Sequence, residues 1–129
     1  MRYLLFLTLF LTGCSSGSDA TEALLNDYSR AAALEADLTS FLAGEALESA
    51  TQTNDLVAEL GLTGYGVSTF SKTRQLGPAL FESCLDVSAT SFRNALGQPV
   101  LLDRKERQLV NVAIQDGLIS EIMLVGEGC

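Results

Sequence analysis

The chain has 129 residues, 47% of them hydrophobic, with eight Lys and Arg against sixteen Asp and Glu and neither His nor Trp. One domain of ordinary size fits that length, and the apolar content excludes a disordered chain. A formal charge of −8 argues against a nucleic-acid partner, which needs a basic surface. The missing His removes the commonest general base and the commonest metal ligand.

The first element is apolar. Arg2 precedes a nearly unbroken hydrophobic run over residues 3–11. At ~1.5 Å per residue this run is far too short to cross a hydrocarbon core of about 30 Å, but it suits the apolar region of a secretory leader. Leu11-Thr12-Gly13-Cys14 then closely resembles the lipobox of bacterial lipoproteins. The resemblance implies a signal peptide over residues 1–13, cleavage before Cys14, and a diacylglyceryl group on the Cys14 sulfur. It places the protein at the cell membrane, lipid-anchored on the extracytoplasmic face. Two acyl chains anchor stably where one is marginal, each buried methylene contributing ~0.8 kcal/mol. Residues 14–19 read as the lipidated Cys and a flexible tether, with an r.m.s. reach of about 10–12 Å for Ser15-Ser16-Gly17-Ser18. Loss of Arg2 leaves seven basic residues against sixteen acidic ones, a charge of −9. Such a body gains nothing from anionic headgroups, so the lipid must hold it at the membrane.

Export places Cys84 and Cys129 in an oxidising compartment. With Cys14 lipidated, these two remain and only one disulfide pairing is possible. A redox-active or metal-binding pair has neither a CxxC spacing nor a His to support it.

Residues 20–129 read as a single domain, helical first. Asp19 followed by Glu22 has the spacing of an N-cap and its capping-box partner. Leu24, Tyr28, Ala31, Leu38 and Leu42 recur near helical spacing, with Leu25, Leu34 and Phe41 broadening the stripe. Gly44 marks a break, after which Leu47, Ala50, Val57 and Leu60 offer a second apolar face. Residues 19–60 hold nine acidic side chains and one basic one, Arg30, which reads as a solvated surface or as a docking face for a basic partner. Gly61-Leu62-Thr63-Gly64-Tyr65-Gly66 closes this half as a turn, without the strand-before, helix-after context of a nucleotide site.

The period then changes to two. Strands are expected over 67–75, ended by Gly77-Pro78, and over 80–89, with Phe81, Leu85 and Val87 on one face and Cys84 and Asp86 on the other. After a turn at Leu96-Gly97-Gln98-Pro99, residues 100–115 supply strand residues, with the charged run Asp103-Arg104-Lys105-Glu106-Arg107 near their start. Asp116-Gly117 is a type I′ hairpin signal leading into a last strand over 118–125. A regular hairpin puts Val110, Val112 and Ile114 on one face with Ile119 and Met123. Both faces are apolar, which leaves room for an internal cavity or a subunit interface. The same register carries Cys129 past the level of Cys84, so a bridge between them requires a bent sheet, a bulge or a hooked tail.

Two helices ahead of a curved antiparallel sheet of about four strands resemble the nuclear transport factor 2-like, or cystatin-like, α+β cone. The motif order is similar to that of small actinobacterial lipoproteins of this fold: Ala33-Leu34-Glu35-Ala36-Asp37-Leu38, Cys84-Leu85-Asp86-Val87-Ser88, Gly97-Gln98-Pro99-Val100, an Arg-rich strand start and Gly126-Glu127-Gly128-Cys129. Where such domains often carry a Trp after the last hairpin Gly, this chain has Leu118-Ile119. The resemblance implies an envelope address without a settled activity. Enzymes of the superfamily place an acid/base in the cone, which makes Asp86 the catalytic candidate for a lyase or isomerase, with Tyr28 or Tyr65 as hydroxyl partner and ligand-binding candidates. The favoured expectation is a non-catalytic binding or assembly module for a small apolar ligand or an envelope protein. A homodimer and an accessory subunit of a membrane complex are further possibilities. No metal and no cofactor are expected.

Overall fold

The computed structural model describes residues 17–129. The expected leader, Cys14 and the start of the tether lie outside the described residues. Gly17, Ser18 and Asp19, expected in the tether, instead form the first turn of helix α1 (Gly17–Ala33). Asp19 therefore sits inside the helix, where its charge complements the N-terminal dipole, rather than ahead of it as a cap.

Helix α1 buries Thr21, Leu25 and Ser29, spaced one turn apart, with Leu24 and Tyr28 flanking them. It ends eleven residues before the expected break at Gly44. Glu35 adopts a left-handed φ of 55°, and Ala36 N–H closes on Ala31 O at 3.0 Å, so the helix terminates without a glycine. Leu34 is consequently 81% exposed and leaves the expected stripe. Asp37 caps a short 3₁₀ turn (Leu38–Ser40) by accepting from Thr39 N at 3.0 Å. Helix α2 (Gly44–Glu59) packs through its first half, burying Ala46 with Leu47 and Ala50 partly covered, while Leu56 and Leu60 near its end are exposed.

Seven strands follow. β1 (Thr63–Tyr65), β4 (Ser91–Arg93) and β5 (Pro99–Val100) make a small antiparallel sheet in the order β1-β4-β5. The Gly61 to Gly66 segment is thus more than the expected turn: Thr63–Tyr65 pairs with β4. β2 (Thr69–Gly77), β3 (Leu80–Asp86), β6 (Arg107–Gln115) and β7 (Leu118–Glu127) form the main antiparallel sheet, order β2-β3-β6-β7. The strand expected over 80–89 stops at Asp86, and the long strand expected over 100–115 divides into β5 and β6 around the charged run. Arg104 explains the interruption. Its guanidinium donates to Thr90 O at 2.8 Å, Thr90 Oγ1 at 2.7 Å and Val87 O at 3.2 Å, tying the run to the turn after β3.

The two central strands are regular and the two edges are not. β3 and β6 pair without interruption from Leu80↔Ala113 to Asp86↔Arg107. β2 carries extra residues between Ser71 and Arg74 and between Gln75 and Gly77. β7 carries them between Ile119 and Glu121 and between Leu124 and Gly126. Longer edges on a shorter middle bend and twist a sheet, and bulged edges resist pairing with other chains. The bulge at Ser120 overturns the expected faces. Ile122 comes opposite Val112, where a regular hairpin would put Glu121, and packs on the core, while Met123, expected on the core face, is exposed.

The same bulges settle the disulfide. A regular hairpin would set Leu109 opposite Leu124. With two extra residues in β7 it faces Gly126, and Cys84 lies opposite Leu109 on the next strand. Gly128, at φ 79°, turns the tail, and Cys84 and Cys129 are disulfide-bonded with their Cα atoms 5.8 Å apart. The Asp116-Gly117 turn forms as expected, with φ of 53° and 76° joining Gln115 to Leu118.

The core lies between the helices and one face of the main sheet: Leu25, Leu42, Ala46, Phe70, Val110, Val112 and Ile119. Burying each of the large side chains contributes about 1.5–3 kcal/mol. The connection between the helices is stitched to the sheet at Ile119, whose N–H donates to Phe41 O at 2.8 Å and whose carbonyl accepts from Ala43 N at 2.9 Å.

Candidate functional site

α1 crosses the β2 edge and α2 crosses the β7 side. Because α2 engages the sheet only through its first half, the helices leave a space between them. The α2 face toward that space carries Ala46, Ser49, Ala50 and Thr53, small residues at helical spacing that do not fill it. The result is a cavity of about 370 Å³, within the usual size range of small-molecule sites. Its floor is Phe70, Leu85 and Ile122. Tyr28 and Ala32 come from α1, Leu38 and Leu42 from the connection, and Glu45 and Glu121 are its carboxylates. Two adjoining cavities of about 260 and 310 Å³ share Ala32 and Asn54 with it, so the three form one cleft running toward the small sheet.

The three residues singled out from the sequence are not brought together. Tyr28 does line the main cavity, and burial pushes its phenol above the ordinary value of 10.0. Tyr65 lies in the adjoining space beside the small sheet, exposed, with the Arg93 guanidinium 5.8 Å from its ring centre. Asp86 follows Leu85 on β3 and, by the alternation of the strand, lies on the face away from the helices. There the Ser88 hydroxyl and backbone N–H, with the Arg107 guanidinium 3.6 Å away, hold its carboxyl below the usual carboxylate range. A catalytic acid in an apolar cone needs the opposite shift and the opposite face. The isomerase-type role considered for Asp86 is therefore not supported by its position.

Among the described residues, no group of three or more His, Cys, Asp or Glu could hold a metal ion, and no helix is long and apolar enough to cross a membrane. What the cleft offers chemically is shape, an apolar floor, neutral polar groups at Ser49, Thr53 and Asn54, and carboxylates. Of the small residues that create it, sequence reading named only Ala50, as part of an apolar face. The stripe Ala46, Ser49, Ala50, Thr53 was visible as a helical repeat of small side chains, but its meaning depends on the helix opposite. Comparison with protein-family models, curated proteins and solved structures finds no match.

Proposed function

We propose that the chain is a lipid-anchored protein of the extracytoplasmic cell membrane whose nuclear transport factor 2-like domain binds a small, mainly apolar molecule between α1 and α2. The observation that carries the binding role is the cavity of about 370 Å³ above Phe70, Leu85 and Ile122. Helices ahead of a bent meander, with an open space between them, support the cone-like reading of the fold. The anchor rests on the four-residue likeness to a lipobox ending at Cys14.

The geometry at the start of α1 is compatible with such an anchor. A β-carbon on Gly17 would stand 3.4 Å from Gln75 Oε1, so α1 begins beside the turn joining β2 to β3.

Native mass spectrometry of the full chain, purified from its membrane, tests both parts. The expected result is a diacylglyceryl mass on Cys14 and a co-purifying small molecule that Ala50→Phe removes. An unmodified thiol at Cys14 overturns the anchor. A co-purifying polypeptide in place of a small molecule overturns the ligand and points to an assembly module.

A further inference from the structure

The main cavity of the cleft carries charge of one sign. We propose that its occupant is a small amphiphile with a cationic, amine-type head, and not a fatty acid or another anionic lipid; this rests on the binding role proposed above. Glu45 and Glu121 are the charged side chains of the main cavity, and the adjoining space adds Glu35 and Arg104. Arg104 is already engaged, donating to the carbonyl oxygens of Val87 and Thr90 and to the Thr90 hydroxyl. The three carboxylates enter no ion pair among the described residues.

Glu121 is half-buried and is one of the residues lining the main cavity, with its neighbour Ile122. Glu45 lies in the first turn of α2 on the same cavity. A chain laid over Phe70, Leu85 and Ile122 would bring its head to these groups. A carboxylate or phosphate head meets like charge there and no uncommitted cation, and like-charge juxtaposition in a partly desolvated site is what rejects a ligand. An ammonium head meets opposite charge in the same place. Reversing the sign of one head against two carboxylates is expected to separate the affinities by roughly tenfold or more at low salt.

The test measures binding of dodecyltrimethylammonium, dodecanol and dodecanoate to the full chain by equilibrium dialysis, at low salt and below each probe's micelle concentration. The expected result is binding of the ammonium at least tenfold tighter than the carboxylate. Ala50→Phe, which fills the cavity without changing charge, should abolish it. Glu45→Gln with Glu121→Gln should cut the ammonium-over-carboxylate preference at least threefold. Glu48→Gln with Glu59→Gln, the same charge change outside the cleft, should leave it intact. Equal binding of all three probes, lost in Ala50→Phe, overturns the charge selectivity while leaving the binding role standing. Ammonium binding that responds equally to both glutamine pairs and ignores Ala50→Phe is general attraction to an acidic protein and overturns the proposal. Absence of binding by every probe removes the binding role and the selectivity together.

Discussion

Asn26 sits on a helix yet serves β2 as a neighbouring strand would. Its side-chain oxygen accepts from Phe70 N–H at 2.8 Å and its amide donates to Phe70 O at 3.0 Å. One turn earlier, Glu22 accepts from Thr73 N–H at 3.3 Å and from its hydroxyl at 3.0 Å; one turn later, the Ser29 and Ser68 hydroxyls meet at 3.1 Å. α1 thus supplies main-chain partners to an edge strand whose bulge would otherwise leave them open. Asn26→Leu removes both bonds to Phe70 and is expected to cost about 1–3 kcal/mol, read as a lower urea midpoint with an unchanged slope. Asn26→Asp keeps the acceptor and loses the donor, so its midpoint should fall between the two. Asp86 carries a pH dependence instead. Its carboxyl titrates below the ordinary range because of Ser88 first and Arg107 second. A depressed folded value adds stability above the unfolded value of about 4 and loses it as pH falls through the folded one. Asp86→Asn should therefore be less stable than the natural chain at pH 7, with the gap narrowing at pH 3. A gap that widens in acid would contradict the shift.

The ends and edges of elements decide this fold more than their middles do. Glu35 shows why one boundary escaped sequence reading. Helix stops are read from glycine, and here a glutamate takes the left-handed position that closes α1. That conformation costs an ordinary residue about 1–2 kcal/mol, so Glu35→Gly is expected to raise stability by up to about 1 kcal/mol once the added freedom of the unfolded chain is subtracted. Thermal unfolding monitored by circular dichroism checks it; a loss would mean that the Glu35 side chain contributes something its conformation hides. The features legible in the sequence were local ones. Asp116-Gly117 demands two positive φ angles, which only a tight hairpin uses, and alternation placed Leu85 and Cys84 on opposite faces. The bulges were not legible, because an extra residue in β7 is defined only against its partner β6. That is why Met123 was expected where Ile122 packs. The cleft divides the same way: Tyr28 could be named from its place on an apolar stripe, whereas Ala46, Ser49, Ala50 and Thr53 matter through volume they lack.

At the scale of the whole molecule, the disulfide and the start of α1 fall at opposite ends of the sheet. Cys84–Cys129 ties β3 to the tail across β6, closing a separation of 45 residues. Chain entropy assigns such a loop about 4 kcal/mol. Cys84→Ala with Cys129→Ser should lower stability by roughly that amount, measured by urea unfolding against the natural chain under oxidising conditions. The other end holds the start of α1, the β2–β3 turn and the Asp116-Gly117 turn, since Leu80 pairs with Ala113 just before it. Leu76 and Leu80 flank the β2–β3 turn and are 43% and 39% exposed. An acyl group on Cys14 would hold these leucines against a bilayer, where partial burial of two such side chains adds to the hold of the lipid without any basic patch. Leu96 and Leu101 are more exposed still, but they belong to the loops around β4 and β5, which leave the sheet at its Asp86 end. Apolar exposure alone would choose those loops as the membrane contact, whereas the anchor proposed ahead of α1 would choose Leu76 and Leu80. Hydrogen exchange on the lipidated chain, compared between neutral bilayer discs and free solution after enzymatic removal of the acyl chains, separates the two. Slowed exchange is expected over residues 75–80 and unchanged exchange over residues 94–103. Protection confined to residues 94–103 would show the domain standing the other way up.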